Sequence, residues 1–502
     1  MSMANALSVL KMELMQNVVP QIVDLLTTSI ADAQPVHVPE RELWELLLKT
    51  GHQALQTFFD CHGTGDLGDT ITLADGREVC RLEELHSRRY LSIFGEFVLP
   101  RTVYGSREGQ ALEFVPLDNR LQLPASVFSY LLQDWDQSLA VEQAFSQVNR
   151  TIQRMLNLDQ SVDSLEGMNR QMAQEVGWFR DVQGSPPAAE EGQIVVVSAD
   201  CKGIVIRGQG TPTVCGGERP GGQRANQKRM ATVGAVYTVD PNVRTAEEVV
   251  AALFRDPDYQ APPRPKPCHK RVWASLPQEG PQPKSSIEVV FDWLWWEFPQ
   301  RNPHLERPTV CLCDGQEALW DACAACLSEE LRVDILDLLH VTPRLWEAAK
   351  ILYGVKGMKV VPSVRHWLTQ VLEGKVTTVI RTLRRLGTQR GLGSVQKKAL
   401  GRITSYLNKN RHRMRYDEYL RQGYPIASGV IEGACRHLIK DRMERAGMHW
   451  TMEGAQAMLD LRSVWIGSQW AAFQLQRIER ETERLYPHRN FVAGETYFAL
   501  AP

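Results

Sequence analysis

Two unbroken apolar runs, each ending in an acid, constrain this fold more than any other feature. They are IVVVSAD at 194–200 and TVCLCD at 309–314. A continuous β-branched and apolar run, without polar alternation, marks a strand buried on both faces. Thr232 to Val239 and Val272 to Leu276 are further strand candidates. Thr309 to Cys313 is followed by a helical stretch, about Gln316 to Glu329, and by a second run, Val333 to Leu336. Strand, helix, strand implies a parallel pair. Residues 190–341 therefore read as an α/β core, entered through a Pro, Ala and Glu linker at Gly184 to Gly192.

Asp200 and Asp314 close the two runs. Acids at strand ends are common turn starters. A buried, unpaired carboxylate is also expensive, which favours a strand end bearing a metal. The third candidate is Glu432, in SGVIEGACRHLIKDRMERAGMHW. A helix read from Val430 toward Ala446 places it in the first turn, where the macrodipole tolerates a carboxylate. Arg436 and Lys440 follow at i+4 and i+8, on the same face. They could brace DNA phosphates, or the set could be a surface ion pair. Phosphoryl transfer on DNA needs an activated nucleophile and neutralised charge on the phosphate. Two divalent ions roughly 3.5–4 Å apart can do both. Hard ions such as Mg²⁺ take oxygen ligands, so clustered carboxylates suit them.

The net charge of −2 hides an asymmetry. From Val371 to Trp450 there are 17 Lys plus Arg against 6 Asp plus Glu, a local +11. A basic segment on a near-neutral chain suggests a polyanion partner. No apolar run approaches the roughly 18 residues of a membrane span. No secretory signal pattern opens the chain, so a cytoplasmic location and no membrane partner are expected. Ten cysteines in 502 residues are not a disulfide scaffold.

Residues 1–125 read as an N-terminal region of helices and small strands, a DNA-binding candidate. Leu7, Leu10, Leu14, Val18, Ile22 and Leu25 recur at helical spacing. Later, short apolar runs are broken by Gly95, Gly105 and Gly109. Residues 126–185 carry two amphipathic helices. Val141, Phe145, Val148, Ile152 and Met155 make one stripe, and Leu165, Met168, Met172 and Val176 another, with Ser161 or Asp163 as a cap between them. This suits a helix-turn-helix with Asn169, Arg170 and Gln174 exposed to DNA, or an ordinary helical hairpin.

The pieces SADCKG, CLCDGQEALW, LDLLHVTPRLWEAAK and SGVIEGACRHLIKDRMERAGMHW resemble, in order and content, the DDE transposases of the ISKra family of bacterial insertion sequences. The resemblance covers roughly residues 90 to 465, and the Glu432 segment is its most specific part. That family is similar to the wider Mutator-like group. The resemblance implies an RNase H-like core at 190–341 and 426–485, a basic helical insertion at 342–425 and a tail at 486–502. It implies that Asp200, Asp314 and Glu432 are the catalytic triad and hold two Mg²⁺ ions, with Mn²⁺ able to substitute. The group's C/D-x-x-H signature falls on Asp337 and His340, and Trp346 follows. His340 would orient the scissile phosphate or a nucleophile, and Trp346 would stack on an exposed base. A core histidine and a core tryptophan are the plain alternatives. Family members often read Asp-Gly at the first acid, whereas this chain reads Asp200-Cys201-Lys202-Gly203, which gives Lys202 a possible DNA contact.

Other signals carry less. Cys311, Cys313, Cys323 and Cys326 read as core thiols. Cys61, His62, Cys80 and His86 fit no finger spacing. Gly208 to Gly222, with Arg219 and Arg224, lacks the Lys-Ser/Thr of a phosphate loop and reads as a hairpin loop, leaving Lys228 and Arg229 for DNA. The expected function is cleavage at terminal inverted repeats and strand transfer into target DNA, by a homodimer or larger assembly. A domesticated DNA-binding protein and a structure-specific nuclease are the alternatives.

Overall fold

The apolar runs become central strands in a computed structural model of the chain, which describes residues 18–73, 75–105, 113–207, 226–445, 447–487 and 489. Leu7, Leu10, Leu14, Gly109, Arg219, Arg224 and the 208–222 loop lie outside the described residues. The chain divides into two units, Met1–Gln171 with Trp470–Pro502, and Met172–Gln469. Among the described residues no helix is long and apolar enough to cross a membrane.

In the first unit, helices α1 (Val19–Ala31) and α2 (His37–His62) precede five short strands. These are β1 (Thr70–Thr72), β2 (Glu78–Arg81), β3 (His86–Ser92), β4 (Gly95–Arg101) and β5 (Tyr104–Gly105). β1, β2 and β5 form one antiparallel sheet, and β3 and β4 a hairpin. Gly95 turns that hairpin at a φ of 120°, which side chains rarely adopt. Helices α3 (Pro116–Leu121), α4 (Tyr130–Ala140), α5 (Phe145–Leu156) and α6 (Val162–Val182) follow. The C-terminal helix Trp470–Leu485 belongs to this unit, where Trp470 Nε1 donates to Asp134 Oδ1 at 2.6 Å.

α5 and α6 bury the stripes their spacing predicts, including Val148, Ile152, Leu165 and Met168. Ser161 caps α6 by accepting the Ser164 N–H at 3.0 Å. Two expectations are corrected. Met155 is 48% exposed, and Leu156 fills the buried position. Asn169 is not available to DNA. It is 2% exposed, and its Nδ2 donates to Gln137 Oε1 at 2.9 Å. It lies next to Met168 on the packed face, and a buried amide partner satisfies it. Gln174 is exposed, and half-buried Arg170 pairs with Glu166 at 3.8 Å.

Asp136 of α4 is fully buried and accepts Gln160 Nε2 at 3.0 Å. Asp136 Oδ2 and Gln160 Oε1 lack a partner among the described residues. Burial pushes the Asp136 carboxyl up from 3.8 to about 7. The folded state therefore favours the protonated acid. The cost of ionisation is absent below the unfolded value, grows as pH rises toward the folded value, and is constant above it. Asp136→Asn should raise the unfolding free energy above pH 7 by on the order of 2–4 kcal/mol. Urea unfolding as a function of pH reads this, and parallel curves for wild type and variant would exclude it.

In the second unit the order is β6 (Ile194–Arg207), β7 (Asn226–Val239), α7 (Ala246–Phe254), β8 (Cys268–Ser275), α8 (Ser286–Arg301), β9 (Thr309–Cys313), α9 (Glu317–Cys326) and β10 (Val333–Leu336). The sheet order is β10-β9-β6-β7-β8. β6, β7 and β8 pair antiparallel, while β6–β9 and β9–β10 are parallel. Ile194 to Val197 are buried. Each such side chain contributes about 1.5–3 kcal/mol. Cys311, Cys313 and Cys323 are buried between β9 and α9, as their core reading requires.

Helices α10 (Leu338–Tyr353), α11 (Val360–Leu372), α12 (Val376–Gln389), α13 (Ser394–Lys409) and α14 (Tyr416–Arg421) fill the predicted helical stretch. Then come α15 (Gly429–Ala434), a π-helical turn (Cys435–Lys440), α16 (Asp441–Met443) and α17 (Met452–Ile466). The uniform helix expected from Val430 to Ala446 is thus interrupted. Arg462 of α17, fully buried, donates Nε to Leu438 O at 2.8 Å and Nη2 to His437 O. A π turn pairs residues five apart and releases carbonyls that an α-helix would use. The guanidinium takes those carbonyls.

Candidate active site

The β6–β9 ladder ends at Ala199 opposite Cys313, so Asp200 and Asp314 come immediately after the last paired residues. Asp314 follows the end of its strand, as expected. Asp200 does not end its strand, because β7 keeps pairing with β6 through Arg207 opposite Asn226. What stops at Asp200 is the pairing with β9, and on that side β6 next pairs at Ile206, with Trp450.

Local donors hold both carboxylates. Asp314 Oδ1 accepts the Gln316 N–H at 2.8 Å, and its carbonyl accepts Trp320 Nε1 at 2.7 Å. Asp200 Oδ1 accepts the Cys201 N–H at 2.7 Å. Asp200 Oδ2 accepts the Cys435 thiol at 3.5 Å, and burial together with the Asp200 charge keeps that thiol protonated. Glu432 is exposed in the first turn of α15. Burial raises the Asp314 carboxyl, and the Asp200 charge adds to it. Burial also raises Glu432, followed by the charges of Asp337 and Asp200. His340 opposes the shift in both. Asp314 and Glu432 therefore both feel the Asp200 charge. As they stand, no three His, Cys, Asp or Glu among the described residues are placed to hold a metal ion.

Asp337 joins the second strand pair to the Glu432 helix. It is 1% exposed and caps α10 by accepting the Leu339 N–H at 2.9 Å. It also accepts the Ser428 N–H at 3.2 Å and the Ser428 hydroxyl. Ser428 is the N-cap position of α15, and its carbonyl accepts the Glu432 N–H at 3.0 Å. His340 Nε2 lies 3.8 Å from Asp337 Oδ2, with part of the ring exposed.

The expected DNA contacts are dispersed. Lys228 is 3.8 Å from Glu444, and Arg229 is 3.9 Å from Glu279, both exposed. Such loose pairs hold little energy and release readily. Lys202 is half-buried on β6. Arg436 is 70% exposed and 3.6 Å from Asp441, and Lys440 is exposed. The π turn breaks the single α-helical face that Glu432, Arg436 and Lys440 were expected to share. Trp346 is not a free stacking platform. It is half-buried, its ring packs on Phe254 with centroids 6.2 Å apart, and it lines a shallow groove of about 720 Å³ with Leu253, Leu339 and Val355.

One residue escaped the sequence reading. Tyr406 of α13 lies against Gly315, where a Cβ would fall 2.3 Å from its Cε2. Only glycine permits that approach beside Asp314. Burial, then the Asp314 charge, pushes the Tyr406 hydroxyl up to about 12. The Arg344 guanidinium lies 5.3 Å from the ring centroid. The Asp314-Gly315 pair was visible in the sequence, but its partner comes from a distant helix, α13. No family model matches the chain, and no curated protein matches it.

Proposed function

We propose that this chain is a DDE-type DNA transposase with an RNase H-like core, cutting at terminal inverted repeats and joining the freed 3′ hydroxyl to target DNA. The observation that carries the reading is the side-by-side position of Asp200 and Asp314 immediately after the end of the parallel ladder, with Glu432, from a distant part of the chain, feeling the Asp200 charge. An antiparallel β6-β7-β8 ladder followed by parallel β9 and β10 suits that core. The donor types suit Mg²⁺ or Mn²⁺, since they are carboxylate oxygens, and the Asp200 charge raises both Asp314 and Glu432, as unneutralised acids near one another do. Asp200, Asp314 and Glu432 would hold two such ions. When bound, the ions supply Lewis-acid stabilisation of the phosphate charge and activation of the attacking oxygen.

The protein's own groups do the rest. Asp314 is fixed through Oδ1 by the Gln316 N–H, which leaves Oδ2 for a ligand. Asp337 sets the start of the Glu432 helix through Ser428. His340, partly exposed and 3.8 Å from Asp337, would orient a phosphate. A dimer on DNA belongs to the proposal, because two ends must be held together. The test is a labelled duplex carrying the terminal repeats, incubated with Mg²⁺ and a plasmid target. Cut and joined products are expected. Cutting without joining would select a structure-specific nuclease, and tight binding without cutting a non-catalytic DNA-binding protein.

A further inference from the structure

Residues 374–416 hold twelve Lys plus Arg and no Asp or Glu. Part of this charge is paired, as with Lys409, whose Nζ donates to Glu317 Oε2 at 2.6 Å. Lys398 and Arg402 of α13 are exposed and form no ion pair among the described residues. Arg384 and Arg385 of α12 are likewise exposed. The opposite face of α13 buries Leu400, Ile403 and Leu407.

Lys398, Arg402 and Tyr406 are spaced i, i+4, i+8, so they follow one another along one side of the helix. Tyr406 is pinned to Gly315, next to Asp314, and Lys409 to the first turn of α9. The cationic side of α13 therefore starts at the acid site and leads away from it. At about 1.5 Å per residue, Lys398 to Tyr406 spans about 12 Å. That is the length of three to four base pairs at about 3.4 Å each. The acids themselves would repel a phosphate backbone, so a neighbouring cationic surface is needed to bring one close.

We infer that the Lys398–Arg402–Tyr406 side of α13 is the surface along which the phosphate backbone of duplex DNA approaches the acid site. The inference rests on the transposase reading and adds the location of the bound strand. The contacts are to phosphate, so they position the duplex without reading its sequence.

The test is fluorescence anisotropy with a labelled duplex of arbitrary sequence, from 50 to 200 mM salt, for wild type and Lys398→Gln/Arg402→Gln. Both positions are exposed, so folding is not at stake. Arg421→Gln serves as control, since Arg421 is exposed but 3.6 Å from Asp417. The double variant should bind about tenfold or more weaker at low salt, and the slope of log K against log[salt] should fall by roughly 2. The control should match wild type. Unchanged affinity and slope in the double variant, with wild type binding, would overturn the surface alone. A wild type that binds no duplex would overturn the transposase reading and the surface with it.

Discussion

Asp314→Asn is expected to lose strand cutting and joining by about 10³-fold or more while keeping duplex binding, since a metal's contribution is worth several kcal/mol. Asparagine keeps the side chain's shape and can still accept the Gln316 N–H that fixes Asp314 Oδ1. It removes the charge that a divalent ion needs. The change also separates catalysis from folding. Burial and Asp200 raise the Asp314 carboxyl, so ionised Asp314 costs stability as pH rises above the ordinary carboxylate value. The variant should melt at the same temperature as wild type or higher at neutral pH. Mg²⁺ should raise the melting temperature of wild type and raise it less in the variant. Glu432→Ala should behave alike in cutting. Full activity in either variant would mean the carboxylates are misassigned.

Asp337→Ala should have the largest effect on the fold around the site. It removes the N-cap of α10 and both bonds to Ser428. A lost cap costs about 1 kcal/mol, and bonds to a charged acceptor about 1.5–3 kcal/mol each. A loss of roughly 3–5 kcal/mol is expected, allowing for relaxation. Asp337→Asn retains an acceptor for the two N–H groups and should cost less. It should still lower the cutting rate, because Ser428 sets where α15, and so Glu432, begins. Urea unfolding separates the two effects. An alanine variant within about 1 kcal/mol of wild type that cuts normally would remove Asp337 from this role.

Local pattern determined much of this protein. β9 follows its apolar run residue for residue, as a strand covered on both faces requires, and β10 keeps the expected bounds although Asp334 interrupts it at the sheet edge. The stripes of α5 and α6 and the cap at Ser161 were equally legible, since helical spacing and capping are properties of a few neighbouring residues. Asp314 was legible as the acid that closes an apolar run, whereas Glu432 was singled out chiefly by the resemblance of its segment.

Tertiary structure decided what depends on distant partners. Asn169 could be placed on its helix, but only packing against Gln137 shows that its face is buried. Asp200 falls within a longer strand because β7 pairs past it. The π turn after Glu432 contains nothing in its own residues that requires it. A buried arginine from the following helix takes its carbonyls. Tyr406 reaches Gly315 only once α13 has packed beside the end of β9. Spacing along one chain reports which residues can share a face. It does not report which other segment covers that face, as Tyr406 against Gly315 shows.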